Sequence, residues 1–83
     1  MNTAFLLLAE FNQADIPLES VATKYLGLDK REAYRRAAAA QLPFPAYRAG
    51  SQKSPWLVNV NDLAEYLDKA RAQARKDWQN SAA

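Results

Sequence analysis

The chain contains no cysteine and no histidine, and only two of its 83 residues are glycine. Without cysteine no disulfide can brace the fold. With neither residue a structural zinc site loses its usual ligands, because carboxylates alone rarely hold that ion. The same absences thin out the chemistry. Histidine is the commonest general base and cysteine the most reactive nucleophile, so catalysis would fall to carboxylates, lysines or hydroxyls. None of these occurs in a recognisable acid–base pairing. Gly27 and Gly50 stand far apart and form no glycine-rich phosphate loop. The sequence therefore reads as a non-enzyme that takes no metal and no cofactor.

Long hydrophobic runs are also missing. The apolar stretch Ala4–Ala9 is far too short to span a bilayer. No basic residue precedes it and no small-residue cleavage site follows, so it makes a poor secretion signal. A cytoplasmic protein with no membrane partner is expected. Eighty-three residues suffice for one domain, 1–83, burying roughly 60–65% of the surface its unfolded chain exposes. Such a core is thin, and a second protomer is one way to extend it.

What is present is a patterned charge. The net charge is only +2, but its distribution is uneven. Residues 1–23 carry Glu10, Asp15 and Glu19 and no base. Residues 24–53 carry Lys24, Lys30, Arg31, Arg35, Arg36, Arg48 and Lys53 against only Asp29 and Glu32. Residues 54–83 hold four charges of each sign. A basic middle third is the electrostatic footprint expected for a polyanion.

Periodicity predicts four helices and a hairpin. The first helix lies within residues 1–12, from about Thr3 to Phe11, capped by Asn2 or Thr3. Leu6, Leu7 and Phe11 widen its apolar face beyond one stripe, which calls for burial on more than one side. A second helix follows Ile16, with Pro17 in its first turn. Leu18, Val21, Ala22, Tyr25 and Leu26 form one apolar face, and Gly27 ends it in a left-handed conformation. Asp29 and Glu32 read as a capping box. A turn of about three residues thus joins two helices, which is the signature of a helix-turn-helix over 17–41.

Its second helix, about Lys30–Gln41, is basic on one side, while Ala33 and Ala37 can pack closely on the first. Pro43 and Pro45 stop it. Residues 45–60 then read as a hairpin wing with a polar, basic tip at residues 49–54. The last helix runs from Val60 to about Trp78, with Asn59 and Asp62 as a capping pair and Leu63, Leu67, Ala70, Ala74 and Trp78 as its stripe. Asn80 to Ala83 are expected to fray.

Helix, tight turn, basic helix, hairpin and helix, in that order, resemble the excisionase and MerR-type winged helix-turn-helix domains. The residues that carry the likeness are LESVATKYLGL at 18–28, KREAYRR at 30–36, PAYRAG at 45–50 and DLAEYL at 62–67. Over the whole chain, MNTAFLLLAEFN at 1–12, Ile16-Pro17, GSQK at 50–53 and DLAEYLDKARAQARK at 62–76 resemble the pyocin activator protein family. That resemblance implies a mainly α fold with a small β-hairpin wing. It also implies a small bacterial regulator of prophage-like gene clusters that activates bacteriocin genes by binding upstream DNA.

The expected DNA-binding residues are Lys30, Arg31, Tyr34, Arg35, Arg36, Arg48, Ser51, Gln52 and Lys53. Arg31 and Arg35 are placed in the major groove, where arginine can bond guanine bidentately. Lys30 and Arg36 flank them as phosphate contacts. Tyr34 either packs toward the second helix or reaches a phosphate. Arg48 either points back to the body or contacts DNA, while Ser51, Gln52 and Lys53 sit at the exposed tip, Gln52 and Lys53 placed to enter the adjacent minor groove. Trp56 and Trp78 read as core or interface residues, and Lys24 as solvated surface.

Three functions fit these features: a sequence-specific transcription activator, an excisionase-like architectural factor for prophage recombination, and a protein module with a basic groove for an acidic partner. Double-stranded DNA is the expected partner under the first two, at a promoter-upstream or attachment site. RNA polymerase or a recombinase would be the accompanying protein. The apolar first and last helices point to a homodimer or to cooperative assembly on DNA.

Overall fold

The computed structural model describes residues 2–81 and shows a mainly helical chain wrapped on a three-stranded antiparallel sheet, a winged helix-turn-helix. Helix α1 spans Thr3–Phe11. The Asn2 side-chain oxygen accepts from the backbone N–H of Ala4 at 2.8 Å and of Phe5 at 3.3 Å, satisfying donors that a helix start leaves open. Asn12 closes the helix in the left-handed region at φ 56°.

The next element is not helix. Asp15–Pro17 form strand β1, an edge of the sheet, with Ile16 opposite Val58. The sequence reading took Pro17 into the first turn of the next helix. Instead Pro17 closes the strand and immediately precedes the helix, and an edge position tolerates its missing N–H. Three residues are too few for alternation to announce a strand.

Helix α2 occupies Leu18–Val21 and continues as a wider π-helical stretch through Ala22–Leu26. Gly27 ends it at φ 66°, as expected from the sequence. The N–H of Leu28 returns to the Ala22 carbonyl at 3.1 Å. Asp29 then accepts from the N–H of Glu32 at 2.8 Å and opens helix α3, Lys30–Ala38.

Helix α3 stops before the expected Gln41. Ala39 and Ala40 form a turn, with Ala40 left-handed at φ 56°. Alanine propensity loses here to packing. Pro43 disfavours helical backbone at Leu42, and Phe44 must turn inward, where it is buried edge-on against Tyr66 with ring centroids 5.4 Å apart.

The wing is shorter in strand than 45–60 would allow. Strand β2 is Tyr47–Arg48, and β3 is Trp56–Asn59. β3 lies at the centre of the sheet, between β1 and β2. Helix α4 follows at once over Val60–Ser81, with the Val60 N–H bonded to the Ala14 carbonyl at 2.8 Å. Asn59 caps it by accepting from the N–H of Asn61 and does not pair with Asp62. The helix includes Asn80 and Ser81, which were expected to fray; Ala82 and Ala83 lie outside the described residues.

The core is small. Ile16, Leu18, Val21, Val58 and Leu63 are its largest fully buried side chains, joined by Leu7 of α1 and Ala33 of α3. Helices α1 and α4 run antiparallel, since the Thr3 hydroxyl bonds Asp68 at 2.6 Å while the chain after α1 meets Val60. Beyond Asp68 every described residue of α4 is exposed. Among the described residues, no helix is long and apolar enough to cross a membrane and no side-chain cluster is suited to a metal.

Candidate nucleic-acid interface

Helix α3 is held against the body by small side chains. Ala33 is buried and Ala37 half-buried, so the backbone approaches α2 closely. At 100° per residue, Arg31 and Arg35 then stand on the opposite, outward face, one turn apart. Both are exposed. Lys30 and Arg36 flank that face. Tyr34 is half-buried against the core, and the Lys30 ammonium sits 5.6 Å from its ring centroid. The Lys30 ammonium is also 4.0 Å from Glu19. Arg31 has no carboxylate partner among the described residues.

Glu32 organises the other two arginines. Its carboxylate accepts from Arg35 Nε at 3.0 Å and a second Arg35 nitrogen at 2.5 Å, and from Arg36 Nε at 2.9 Å. The hydrogen bonds from Arg35, then those from Arg36, pull the Glu32 pKa down to about 2 and push that of Arg35 up. Only half of the expected capping box therefore forms. Asp29 caps α3, but Glu32 turns to the arginines, whose charge-assisted bonds outcompete a neutral backbone N–H.

The sign of the Glu32 shift fixes its pH behaviour. A depressed carboxyl pKa stabilises the fold above the unfolded value and loses that contribution only as pH falls toward about 2. The arginine clamp is thus intact throughout the neutral range.

On the wing, the Arg48 guanidinium stacks over the Trp56 ring, with Cζ 4.7 Å from the ring centroid. This lays Arg48 along β3 and away from the tip. Ser51, Gln52 and Lys53 are exposed at the turn, which the Ser54 N–H closes onto the Ser51 carbonyl at 2.9 Å. A Cβ on Gly50 would come within 2.7 Å of the Ser54 hydroxyl, so the turn is tight on that side. At the base of the wing, Asp15 is held below the usual carboxylate range by the Tyr47 hydroxyl first and the Asn59 amide second.

The nine sequence-derived positions therefore fall in two groups, five on α3 and four on the wing. The family model described as pyocin activator protein PrtN matches residues 3–74. The chain belongs to this family. No curated protein and no solved structure matches it. The family is one of transcriptional activators and not of enzymes. Its match runs from α1 well into α4, so the basic helix and the wing both lie inside the family's span.

Two residues of this family member matter to the site in ways sequence reading missed. Glu32 was taken only as a cap, although its spacing of three and four to Arg35 and Arg36 is the spacing of helical ion pairs. Trp56 was taken as core or interface, and its stacking on Arg48 has no sequence signal beyond two residues of the right type on paired strands. Lys24, expected as plain surface, is tied to Glu10 and lies 5.4 Å from the Phe11 ring centroid.

The clamp has a measurable consequence. Glu32→Gln removes the negative charge that holds Arg35 and Arg36, so duplex affinity is expected to rise at pH 7, with a salt slope steeper by about one. Fluorescence anisotropy with labelled duplex reads both. Unchanged affinity would mean that the clamp does not compete with phosphate.

Proposed function

We propose that the chain is a sequence-specific, double-stranded-DNA-binding transcriptional activator of bacteriocin (pyocin-like) or prophage genes. It acts in the cytoplasm on the bacterial nucleoid, as one winged domain that assembles as a homodimer or cooperatively. Membership of an activator family supports the regulatory part of this reading. The observation that carries the DNA part is the outward Arg31–Arg35 face on the second helix of a helix-turn-helix. Recognition helices of this kind enter the major groove with their N-terminal residues, where Arg31 stands, and Arg35 follows one turn later on the same face.

In this reading Arg31 and Arg35 contact base edges, and Lys30, Arg36 and the Tyr34 hydroxyl face the flanking phosphates. Ser51, Gln52 and Lys53 follow the backbone toward the neighbouring minor groove, and Arg48, braced on Trp56, faces the phosphates from the base of the wing. The basic helix and wing give the attraction, and the arginine pair gives the discrimination.

Selection from a pool of random duplexes tests it. The chain is expected to enrich a defined motif and to retain duplex over single strand. Equal retention of both, with no enriched motif, contradicts the reading.

A further inference from the structure

Pro43-Phe44-Pro45, the segment that follows the basic helix, is the shared wall of two surface clefts. One, of about 380 Å³, runs on to Ala37, Leu42 and Ala46. The other, of about 290 Å³, is closed by Asp62, Glu65 and Tyr66 on the first two turns of α4. Two prolines stiffen the segment, and Phe44 is buried edge-on against Tyr66. The clefts are therefore preformed, with little left to order on binding.

The α4 side of the second cleft is acidic. Residues 60–68 carry Asp62, Glu65 and Asp68 and no base. Glu65 is held by Lys69 at 3.0 Å, and Asp68 by the Thr3 hydroxyl at 2.6 Å and Arg71 at 3.3 Å. Asp62 is half-buried, yet among the described residues no side chain pairs with it. The dipole of α4 favours a carboxylate at this position, which accounts for its charge but not for the apolar cleft it lines. The clefts also lie clear of the duplex face. At 100° per residue Ala37 stands about 160° around α3 from Arg35 and about 120° from Arg31. A groove that holds the two arginines leaves this side of α3 open.

From this we propose that the Asp62 cleft is the surface by which the DNA-bound chain engages RNA polymerase. It takes a basic side chain of the polymerase, arginine above all, between Asp62 and Tyr66, with an apolar neighbour entering the cleft beside Leu42. A guanidinium suits the position because it bonds a carboxylate and lies flat on an aromatic ring. The argument for this occupant is charge. An enzyme that follows DNA lines its path with basic surface. A chain bound on the same duplex meets that surface, and the Asp62 cleft complements it where α3 and the wing repel it. The inference rests on the activator reading, which membership of an activator family supports, and names the partner through which a bound chain raises transcription.

Biolayer interferometry of the immobilised full chain with purified RNA polymerase holoenzyme from the same organism, without DNA, tests it. Saturable binding is expected. Asp62→Asn raises the dissociation constant about tenfold or more, as truncating one partner of a charged pair does. Asp77→Asn removes the same charge from the exposed far end of α4 and leaves binding unchanged. Circular dichroism is expected to match the parent for both, since asparagine keeps the shape of aspartate. In transcription with limiting polymerase, Asp62→Asn is expected to keep duplex affinity and to lose activation by a similar factor. No binding to the polymerase, or binding that the two variants weaken alike, overturns the proposal. So does a cleft filled by a second copy, seen in sedimentation as self-association relieved by Asp62→Asn. Duplex binding by the parent chain is read separately. Polymerase binding through Asp62 with no duplex binding overturns the DNA reading and leaves the contact standing. Duplex binding with activation untouched by Asp62→Asn does the reverse.

Discussion

Raising salt from 50 to 200 mM is expected to weaken duplex binding by about 150- to 500-fold. The estimate starts from five cations, Lys30, Arg36 and Lys53 on the backbone and Arg31 and Arg35 in the groove between its strands, each neutralising the charge of about one phosphate. At about −0.9 per phosphate, five contacts give a slope of log affinity against log salt near −4.5 per protomer. Glu32 sets the lower bound. It holds both Arg35 and Arg36 in the free chain, and if it keeps one of them on DNA the slope falls to about −3.6. Titrations at several salt concentrations measure the slope directly. A flat response would mean that attraction to phosphate plays no part, and would leave the uneven charge of the chain unexplained.

Gly27→Val is expected to destabilise the fold by about 1–3 kcal/mol. Gly27 sits at φ 66°, and a Cβ built there meets nothing within 4 Å. The cost is therefore conformational and not steric: a β-branched residue in the left-handed region clashes with its own backbone. For a chain of this length total stability is about 4–12 kcal/mol, so the loss is a large share of it. Gly27→Asn is expected to recover most of it, since asparagine visits that region more readily. The midpoint of urea denaturation reports both variants. An unchanged midpoint for Gly27→Val would mean that the turn does not require the left-handed conformation.

That turn was legible in the sequence because its signals are local. A glycine after an apolar run and an aspartate three residues before a glutamate fix Gly27–Asp29 without any knowledge of tertiary structure. The bounds of α1 and the start of α4 were legible on the same grounds, and family membership followed from motifs strung along the whole chain. What escaped depends on contacts distant in sequence. β1 exists because Ile16 meets Val58, and α3 ends early because Phe44 must reach Tyr66. The stripe on α4 was read at full length, but only the position of α1 divides it into a buried half and an exposed one.

The candidate site divides in the same way. Its residue types and their helical face could be read from spacing alone. The hold of Glu32 on two arginines and the laying of Arg48 over Trp56 are choices among rotamers, settled only when competing partners are in place. The difference bears on function. An arginine bound to a neighbouring carboxylate must exchange that contact for a base or a phosphate, so the free chain presents Arg31 readily and Arg35 only after release from Glu32.

The most direct measurement compares Arg35→Ala with Lys53→Ala in paired competition binding, using a selected target duplex and an unrelated one. Arg35 stands on the outward face of α3 and Lys53 on the exposed turn of the wing. Arg35→Ala is expected to cost about 1–3 kcal/mol on the target alone and so to erase part of the preference. Lys53→Ala is expected to weaken both duplexes alike, lowering affinity and keeping the preference. If instead Arg35→Ala weakens both equally while Lys53→Ala abolishes the preference, the wing reads sequence and α3 does not.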